Sequence, residues 1–328
     1  MSPRARVRQI LLGMLAVAFA AALTGMLYQI TLVRRDQRQH PMPGILVDVG
    51  GYRLHINCIG QGSPTVILDA GLGDSFHSWR KVQPQIAAFT QVCSYDRAGL
   101  GYSEASPFPR TSRVFAEELR RLLINARLPA PYVLVGHSLG GLNIRIYANQ
   151  NQSSVAGMVL VDSAHPDQPN RLPAIAELQR SQTREAEKFK LEVLFGIPRF
   201  TGHCGSEPVE IALNCTFRSA RAWVGELEGF HESAAQAALT GPFGNIPLSV
   251  LSHDPEKLIE EFRPDDRKNV NDVWEQLQEE LVHLSTAGRQ RIAKNSSHYI
   301  QLDRPELVVD EVQNIVKMIR EHSGTSYE

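Results

Sequence analysis

The feature that most constrains this chain is the pentapeptide Gly-His-Ser-Leu-Gly at residues 136–140. It follows the apolar run 132–135 directly, and a helix-like stretch begins at Leu139. A strand before it and a helix after it predict that Ser138 lies on a sharp, strained turn with its hydroxyl held out of the fold. Glycine at both ends supplies the backbone freedom that such a turn requires. The pattern is short, so its surroundings decide its meaning.

Strand-like and helix-like runs alternate on both sides of this turn. We expect strands at 45–49, 52–58, 65–69, 92–95, 132–135, 155–161, 246–251 and 290–293, and helices at 114–126, from 139, at 272–284 and at 305–321. This alternation predicts an α/β fold with a mostly parallel central sheet flanked by helices. Residues 166–245 interrupt it with a Glu-, Gln-, Arg- and Ala-rich stretch of helical spacing. We therefore expect a core of residues 45–165 and 246–321 with a helical insertion at 166–245.

The N-terminal segment is uncharged from Ile10 to Val33 and has arginines on both sides. About 20 helical residues cross the hydrocarbon core of a bilayer. A signal peptide has a shorter apolar region, about 7–15 residues, before a small-residue cleavage site. Alanines at 16, 18, 20 and 22 offer such sites, but the apolar run continues past them. We expect residues 1–35 to form an uncleaved transmembrane helix with the rest of the chain extracytoplasmic; the alternative is secretion after signal cleavage.

Charge and cysteine content exclude some classes of partner. The net charge of −1 argues against a nucleic-acid partner, which needs a basic surface. The four cysteines lack zinc-site spacing, so no metal is predicted. Cys204 and Cys215 fit a disulfide loop outside the cytosol. Cys58 and Cys93 fall in strands that would lie side by side, either as a second disulfide or as two small buried hydrophobic residues.

A serine nucleophile needs a histidine base and a carboxylate that orients the base, and behind such a turn the chain order is serine, acid, histidine. His298 lies in a loop between the last predicted strand and the terminal helix, and we predict that it is the base. Asp162 and Asp254 each follow a predicted strand, at the edge where parallel sheets place their sites. Either aspartate could be the acid on this evidence.

The oxyanion of a tetrahedral intermediate needs two backbone N–H donors. One is expected from Leu139, directly after the nucleophile. The other is expected from Leu72, in the small-residue loop 70–74 after the third strand.

With these motifs together, the chain resembles the α/β-hydrolase-fold serine hydrolases, the esterase and lipase superfamily with a helical lid, over residues 45–320. The resemblance rests on four runs: Ala70-Gly71-Leu72-Gly73, Tyr95-Asp96-Arg97-Ala98-Gly99-Leu100-Gly101-Tyr102-Ser103, Gly136–Gly140 and Ser297-His298-Tyr299. In some families of this fold the acid follows the strand after the nucleophile's helix. Asp162 lies 24 residues beyond Ser138 and fits that pattern, so it is preferred over Asp254. The second run is expected to be a structural turn, with Arg97 paired locally.

The resemblance implies hydrolysis of a carboxylic ester through an acyl-enzyme, with a small-molecule substrate and no cofactor. The insertion at 166–245 would be a lid that shapes an apolar pocket, and a membrane anchor would suit lipid-like substrates. Serine at the nucleophile position argues against epoxide hydrolase and haloalkane dehalogenase chemistry, which uses aspartate there in this superfamily. The alternatives are carbon–carbon bond hydrolysis or acyl transfer on the same residues, and a receptor-like protein with vestigial turnover.

Overall fold

The computed structural model describes residues 3–257, 262 and 264–324, and within them eight strands form one sheet. The strands are β1 (Ile45–Asp48), β2 (Arg53–Ile59), β3 (Thr65–Asp69), β4 (Val92–Tyr95), β5 (Tyr132–His137), β6 (Val155–Val161), β7 (Leu248–His253) and β8 (Gly288–Ala293). Their order in the sheet is β1-β2-β4-β3-β5-β6-β7-β8. β2 is antiparallel to β1 and β4, and all other neighbours are parallel. The predicted mostly parallel α/β sheet is confirmed.

Helices cover both faces of this sheet. In the described residues they are α1 (Pro3–Gln39), α2 (Gln83–Ile86), α3 (Ser112–Asn125), α4 (Leu139–Gln150), α5 (Gln168–Arg171), α6 (Pro173–Glu192), α7 (Ile197–Thr201), α8 (Pro208–Asn214), α9 (Phe217–Ala237), α10 (Pro264–Val282), α11 (Ile300–Asp303) and α12 (Pro305–Gly324). Side chains of β5 alternate between two cores: Leu134 packs with residues of α3 and α4, and Val133 and Val135 pack with residues of α2 and α12. The central strands are therefore apolar on both faces, which is why their sequence reads as continuous hydrophobic runs.

The structure agrees closely with the sequence-based bounds in the centre of the sheet. β3, β4 and β6 have the predicted limits, because every residue in β3 and β4 is buried and the runs end at polar positions. α10 begins at Pro264, eight residues before the predicted start. Proline suits the first position of a helix, and Asp265 and Asp266 complement the helix dipole in its first turn. These start signals lie ahead of the apolar periodicity that set the prediction.

Five helices, α5 to α9, lie between β6 and β7 in the predicted insertion, which we call the lid segment (residues 166–245). α9 packs on α3 and α4, and α6 packs on α9. The long helix α9 therefore supports the lid segment on α3 and α4, and α5 adds contacts with α10.

All four cysteines form disulfides. Cys58 on β2 is paired in register with Cys93 on β4, and Cys204 is bonded to Cys215 in the lid segment. For Cys58 and Cys93, the structure therefore favours the disulfide over the pair of unlinked hydrophobic residues.

The N-terminal segment forms one 37-residue helix, α1, whose most apolar window has a mean hydropathy of 2.3. At about 1.5 Å per residue, this helix is long enough to cross a bilayer. Length and composition therefore make it a candidate for the predicted transmembrane helix.

Arg97, two residues after the end of β4, is a buried hub that joins the core to the lid segment. All five of its N–H groups donate: two to Glu226 (2.7 and 2.8 Å), one to Asp69 (2.9 Å), and one each to the carbonyl oxygens of Ala70 and Gly71 (both 2.6 Å). Asp69 ends β3, whereas Glu226 lies on α9. The expected local pairing of Arg97 is therefore wrong, because its acidic partners are distant in sequence.

Arg97→Lys is expected to lower the free energy of unfolding by about 3–5 kcal/mol, because an ammonium cannot satisfy two buried carboxylates and two carbonyls at once. Urea denaturation followed by circular dichroism measures this. Arg53→Lys is the matched control, since Arg53 pairs with Glu104 at the surface, and it should change stability little. Equal losses of unfolding free energy in the two variants would contradict the role of Arg97 as a buried hub.

Candidate active site

Ser138 lies on a strained turn between β5 and α4. Its backbone has φ 50° and ψ −118°, a conformation that costs energy for a residue with a side chain. The Ser138 N–H donates to the Val161 carbonyl (3.2 Å), and the Ser138 carbonyl accepts from the N–H groups of Gly141 (2.9 Å) and Ala164 (3.0 Å). The surrounding backbone therefore holds the turn in place.

The two glycines of the pentapeptide are required by close packing. A Cβ on Gly136 would lie 2.5 Å from the carbonyl oxygen of Gly140, and a Cβ on Gly140 would lie 2.8 Å from that of Ala70. Since real Cβ atoms do not approach backbone oxygens so closely, any larger residue would displace α4 or the loop after β3.

The structure brings His298 and Asp162 together. Asp162 directly follows β6, and His298 lies in the loop between β8 and α11. His298 Nδ1 is 2.5 Å from Asp162 Oδ2. Ser138, Asp162 and His298 line the same cavity. This is the grouping predicted from the order of the motifs.

Asp254, the alternative acid, has other partners. It accepts from the backbone N–H groups of Asn295 (2.7 Å) and Glu256 (3.1 Å), and from Lys294 Nζ (3.3 Å). The backbone hydrogen bond from Asn295 is the main cause that lowers the pKa of Asp254. Asp254 thus organises the loops after β7 and β8.

Sequence reasoning missed two further partners of Asp162. Trp274 Nε1 donates to Asp162 Oδ1 at 2.9 Å, and the backbone N–H of His253 donates to the same oxygen at 3.1 Å. His253 Nδ1 also lies 2.9 Å from Asp162 Oδ2, so the carboxylate sits between the imidazoles of His253 and His298. His253 adjoins Asp254 in sequence, but nothing in that run signals its contact with a different aspartate.

These contacts determine the charge of the buried carboxyl. Burial alone would raise the pKa of Asp162, but the charge of His253 and hydrogen bonds from both histidines outweigh it and hold that pKa well below its usual range. Burial likewise opposes the charged form of His253, yet the nearby Asp162 carboxylate leaves the pKa of His253 raised. The Asp162 carboxylate therefore favours the protonated form of His253, whose Nδ1 lies 2.9 Å from Asp162 Oδ2.

The cavity in front of these residues has a volume of about 810 Å³. Its polar end is formed by the loop 71–74, Ser138 and His298. The apolar walls come from the lid segment, from α10 and from Phe262, which precedes α10. Their residues are Ile175, Leu178, Phe189, Trp223, Phe230, Phe262 and Trp274.

The two residues predicted to donate backbone N–H groups are Leu139, which follows Ser138, and Leu72, which lines the same cavity as Ser138. Leu139 is the first residue of α4, at the positive end of the helix dipole. Leu72 lines the cavity, and the N–H of its neighbour Gly73 donates to Glu226 at 2.8 Å. Because Glu226 also binds Arg97, the loop that carries Leu72 is fastened to α9.

His137 and Asp74 form a second pair of groups on the cavity wall, which the sequence did not reveal. Burial, together with the charge of His298, lowers the pKa of His137 to about 3, and burial raises the pKa of Asp74 to about 6. His137 is therefore neutral, with Nε2 at 3.0 Å from the His298 carbonyl oxygen and able to donate to it. This bond ties the residue before Ser138 to the loop of His298.

Two clusters of metal-ligand side chains occur outside this cavity in the described residues. One comprises His77, Glu207 and Glu210, and the other comprises His165, Asp167 and Glu280. Arg80 pairs with both glutamates of the first cluster (2.8 and 3.5 Å), and Arg171 pairs with Glu280 (2.6 Å). The three glutamates are thus already paired with guanidinium groups.

Comparison with known proteins agrees with this architecture. Residues 64–199 match the family model described as the alpha/beta hydrolase fold. A protein of Gibberella zeae named "AB hydrolase superfamily protein" is 30% identical over 291 residues, which cover 78% of this chain and 87% of that protein. The chain belongs to the α/β-hydrolase superfamily. The resemblance stated from the motifs is confirmed, and so is the general class of hydrolase.

Further relatives in this superfamily carry different activities in their names. A soluble epoxide hydrolase of a Corynebacterium species is 32% identical over 114 residues, which cover 35% of this chain and 39% of that protein. The structure of a thermophilic esterase from Thermogutta terrifontis aligns with a TM-score of 0.61 at 20% identity, covering 84% of this chain and 98% of the esterase. That structural likeness concerns the fold.

His253→Gln is expected to lower stability more in acid than in base. A raised histidine pKa contributes stability below the unfolded value of about 6.5, and this contribution is lost as the pH rises through the higher folded value. Urea denaturation at about pH 6 and about pH 9 measures the difference from the unmodified protein.

Trp274→Phe is the control for this titration, because it removes a neutral donor from the same Asp162 oxygen. Its effect should be the same at both pH values. A pH-independent effect of His253→Gln would contradict the raised pKa of His253.

Proposed function

We propose that this protein is a serine hydrolase that cleaves a carboxylic ester through an acyl-enzyme, with Ser138 as nucleophile, His298 as base and Asp162 as the acid that orients the base. The main support is the 2.5 Å contact between His298 Nδ1 and Asp162 Oδ2, at a cavity that also exposes Ser138 on its strained turn. A strained residue held by its surroundings is a common property of reactive centres.

In acylation, Ser138 Oγ attacks the ester carbonyl carbon and its proton passes to His298 Nε2. Asp162 stabilises the imidazolium that forms, since its carboxylate stays ionised. The tetrahedral intermediate then breaks the bond to the alkoxy oxygen, and the alcohol leaves with the proton from His298. In deacylation water attacks the acyl-enzyme, again with His298 as base, and releases the acid and free Ser138.

The backbone N–H groups of Leu72 and Leu139 would stabilise the oxyanion in both steps. The N-terminus of α4 supports this role for Leu139, because the helix dipole favours negative charge there. For Leu72, the support is the anchoring of its loop through Gly73 and Glu226, since a preorganised donor costs no reorganisation during the reaction.

The apolar residues that the lid segment adds to the cavity support a hydrophobic acyl or alcohol group on the substrate. We also propose that α1 anchors the protein in a membrane and that residues 40–324 lie outside the cytoplasm. Its length and hydropathy support the anchor, and two disulfides fit an oxidising compartment.

A fluorophosphonate probe tests the nucleophile. Folded protein should be labelled at Ser138, as mapped by peptide mass spectrometry, and Ser138→Ala should not be labelled. A folded protein that remains unlabelled would refute the proposed function.

Separate replacement of the two aspartates tests the acid. Asp162→Asn should lower kcat by about 10⁴-fold, because the amide cannot stabilise the imidazolium. Asp254→Asn is the matched control and should turn over close to the unmodified rate, provided that both variants keep their circular dichroism spectrum. Rates on p-nitrophenyl esters of graded chain length measure both. The reverse ranking would make Asp254 the acid.

A further inference from the structure

The C-terminal third of α1 does not stand free but docks on the lid segment. Gln29 and Asp36 are buried in α1. Asp36 Oδ2 pairs with Arg199 Nη1 at 2.6 Å, and Arg199 Nε donates to Gln29 Oε1 at 3.0 Å. Gln29 Nε2 in turn donates to the Cys215 carbonyl at 2.7 Å. The buried side chains of Gln29 and Asp36 are therefore paired with groups of the lid segment.

The apolar part of this contact is tight. A Cβ on Gly25 would lie 2.8 Å from the carbonyl oxygen of Phe195, and a Cβ on Gly196 would lie 2.8 Å from the Tyr28 ring. The Tyr28 ring stacks on Phe200 with centroids 5.1 Å apart. Small residues on both sides let the helix approach closely, so the relative position of α1 and this part of the lid segment is well defined.

The part of the lid segment beside α1, residues 189–204, we call the lid tip. It exposes three large apolar side chains: Leu191 (60%), Ile197 (42%) and Phe200 (78%). Grouped exposed apolar residues on a soluble protein mark a surface that binds another apolar phase. Here the neighbouring surface is the exposed apolar side of α1.

The sequence of α1 fixes the depth of this surface relative to a bilayer. The uncharged stretch ends at Val33, and Arg34, Arg35 and Arg38 beyond it are exposed. A span of about 20 residues from Ile10 ends near Gln29. Aromatic residues favour the membrane–water interface. Tyr28, and Phe200 stacked on it, therefore lie at the level of the headgroups.

The lid tip is also a wall of the cavity. Phe189, His203 and Cys204 line the same space as Ser138 and His298. The lid tip thus carries the exposed apolar side chains and also lines the cavity. A ligand in a bilayer at this surface would be separated from the cavity only by the lid tip.

We propose that the lid tip is a second membrane contact, inserting Leu191, Ile197 and Phe200 into a lipid bilayer beside α1, and that the cavity takes amphiphilic esters with long acyl chains from that bilayer. The statement about substrate rests on the proposed ester hydrolysis, whereas the membrane contact rests on the proposed anchoring by α1 and not on that hydrolysis.

Depth-dependent fluorescence quenching tests the contact in the full chain reconstituted into phosphatidylcholine vesicles. Phe200→Trp should be quenched strongly by lipids brominated near the start of the acyl chain, because interfacial residues lie about 5–10 Å below the surface. Signal from the three native tryptophans is subtracted with the unmodified protein.

Leu239→Trp is the matched control, because Leu239 is equally exposed (76%) and follows the far end of α9. The 21 residues of α9, at about 1.5 Å each, place Leu239 about 30 Å from the start of this helix. The start of α9 follows Cys215, which is hydrogen-bonded to Gln29 of α1. Phe200→Trp quenched no more than Leu239→Trp would overturn the membrane contact.

Activity tests the substrate class. Phe200→Ser should lose about tenfold or more of the turnover of a p-nitrophenyl ester of a long-chain acid dissolved in the vesicles, since it removes a large apolar side chain from the bilayer contact. Turnover of water-soluble p-nitrophenyl acetate should not change. Equal effects on both esters, or none on either, would overturn the substrate class.

The two proposals fail in different ways. If the unmodified protein hydrolyses neither ester but Phe200→Trp is quenched, the proposed function is wrong and the membrane contact stands. If the esters are hydrolysed but quenching is absent, the membrane contact is wrong and the proposed function stands.

Discussion

The buried guanidinium of Arg97 is the interaction on which the site geometry depends. It binds the end of β3, the loop that carries Leu72 and, through Glu226, helix α9 of the lid segment. Its removal would leave two carboxylates buried and unpaired, which is strongly unfavourable. Because all five N–H groups are used, loop, lid segment and sheet have one satisfactory arrangement.

The Asp162 carboxylate, whose two oxygens are both hydrogen-bonded, lies on the other side of the Ser138 turn. Asp162 is held by His253, Trp274 and His298 while its own backbone has φ 40°. Strained residues persist only where their surroundings determine them fully. Because β5 lies between β3 and β6, the turn of Ser138 is thus placed between these two buried polar clusters.

Much of the fold followed from the sequence because the central strands are buried on both faces and end at polar residues. The same logic put Ser138, Asp162 and His298 at strand ends or in loops on one edge of the sheet, where the structure has them; their roles remain predictions. The partners of Arg97 and Asp162 did not follow. Glu226 and Trp274 lie on helices far along the chain, and no local periodicity marks which of several glutamates or tryptophans faces a buried charge.

The docking of α1 has a mechanical consequence. Arg199 clamps the end of the helix to the lid segment, while a few residues later the His40 carbonyl accepts a hydrogen bond from Tyr102 of the core at 3.0 Å. The end of α1 is therefore bonded both to the lid segment and to the core. A lid that swung open as a gate would have to break the buried pair of Arg199 and Asp36, at a cost of several kcal/mol. Rigid-body opening of the lid segment is therefore disfavoured for as long as α1 stays bonded to both the lid segment and the core.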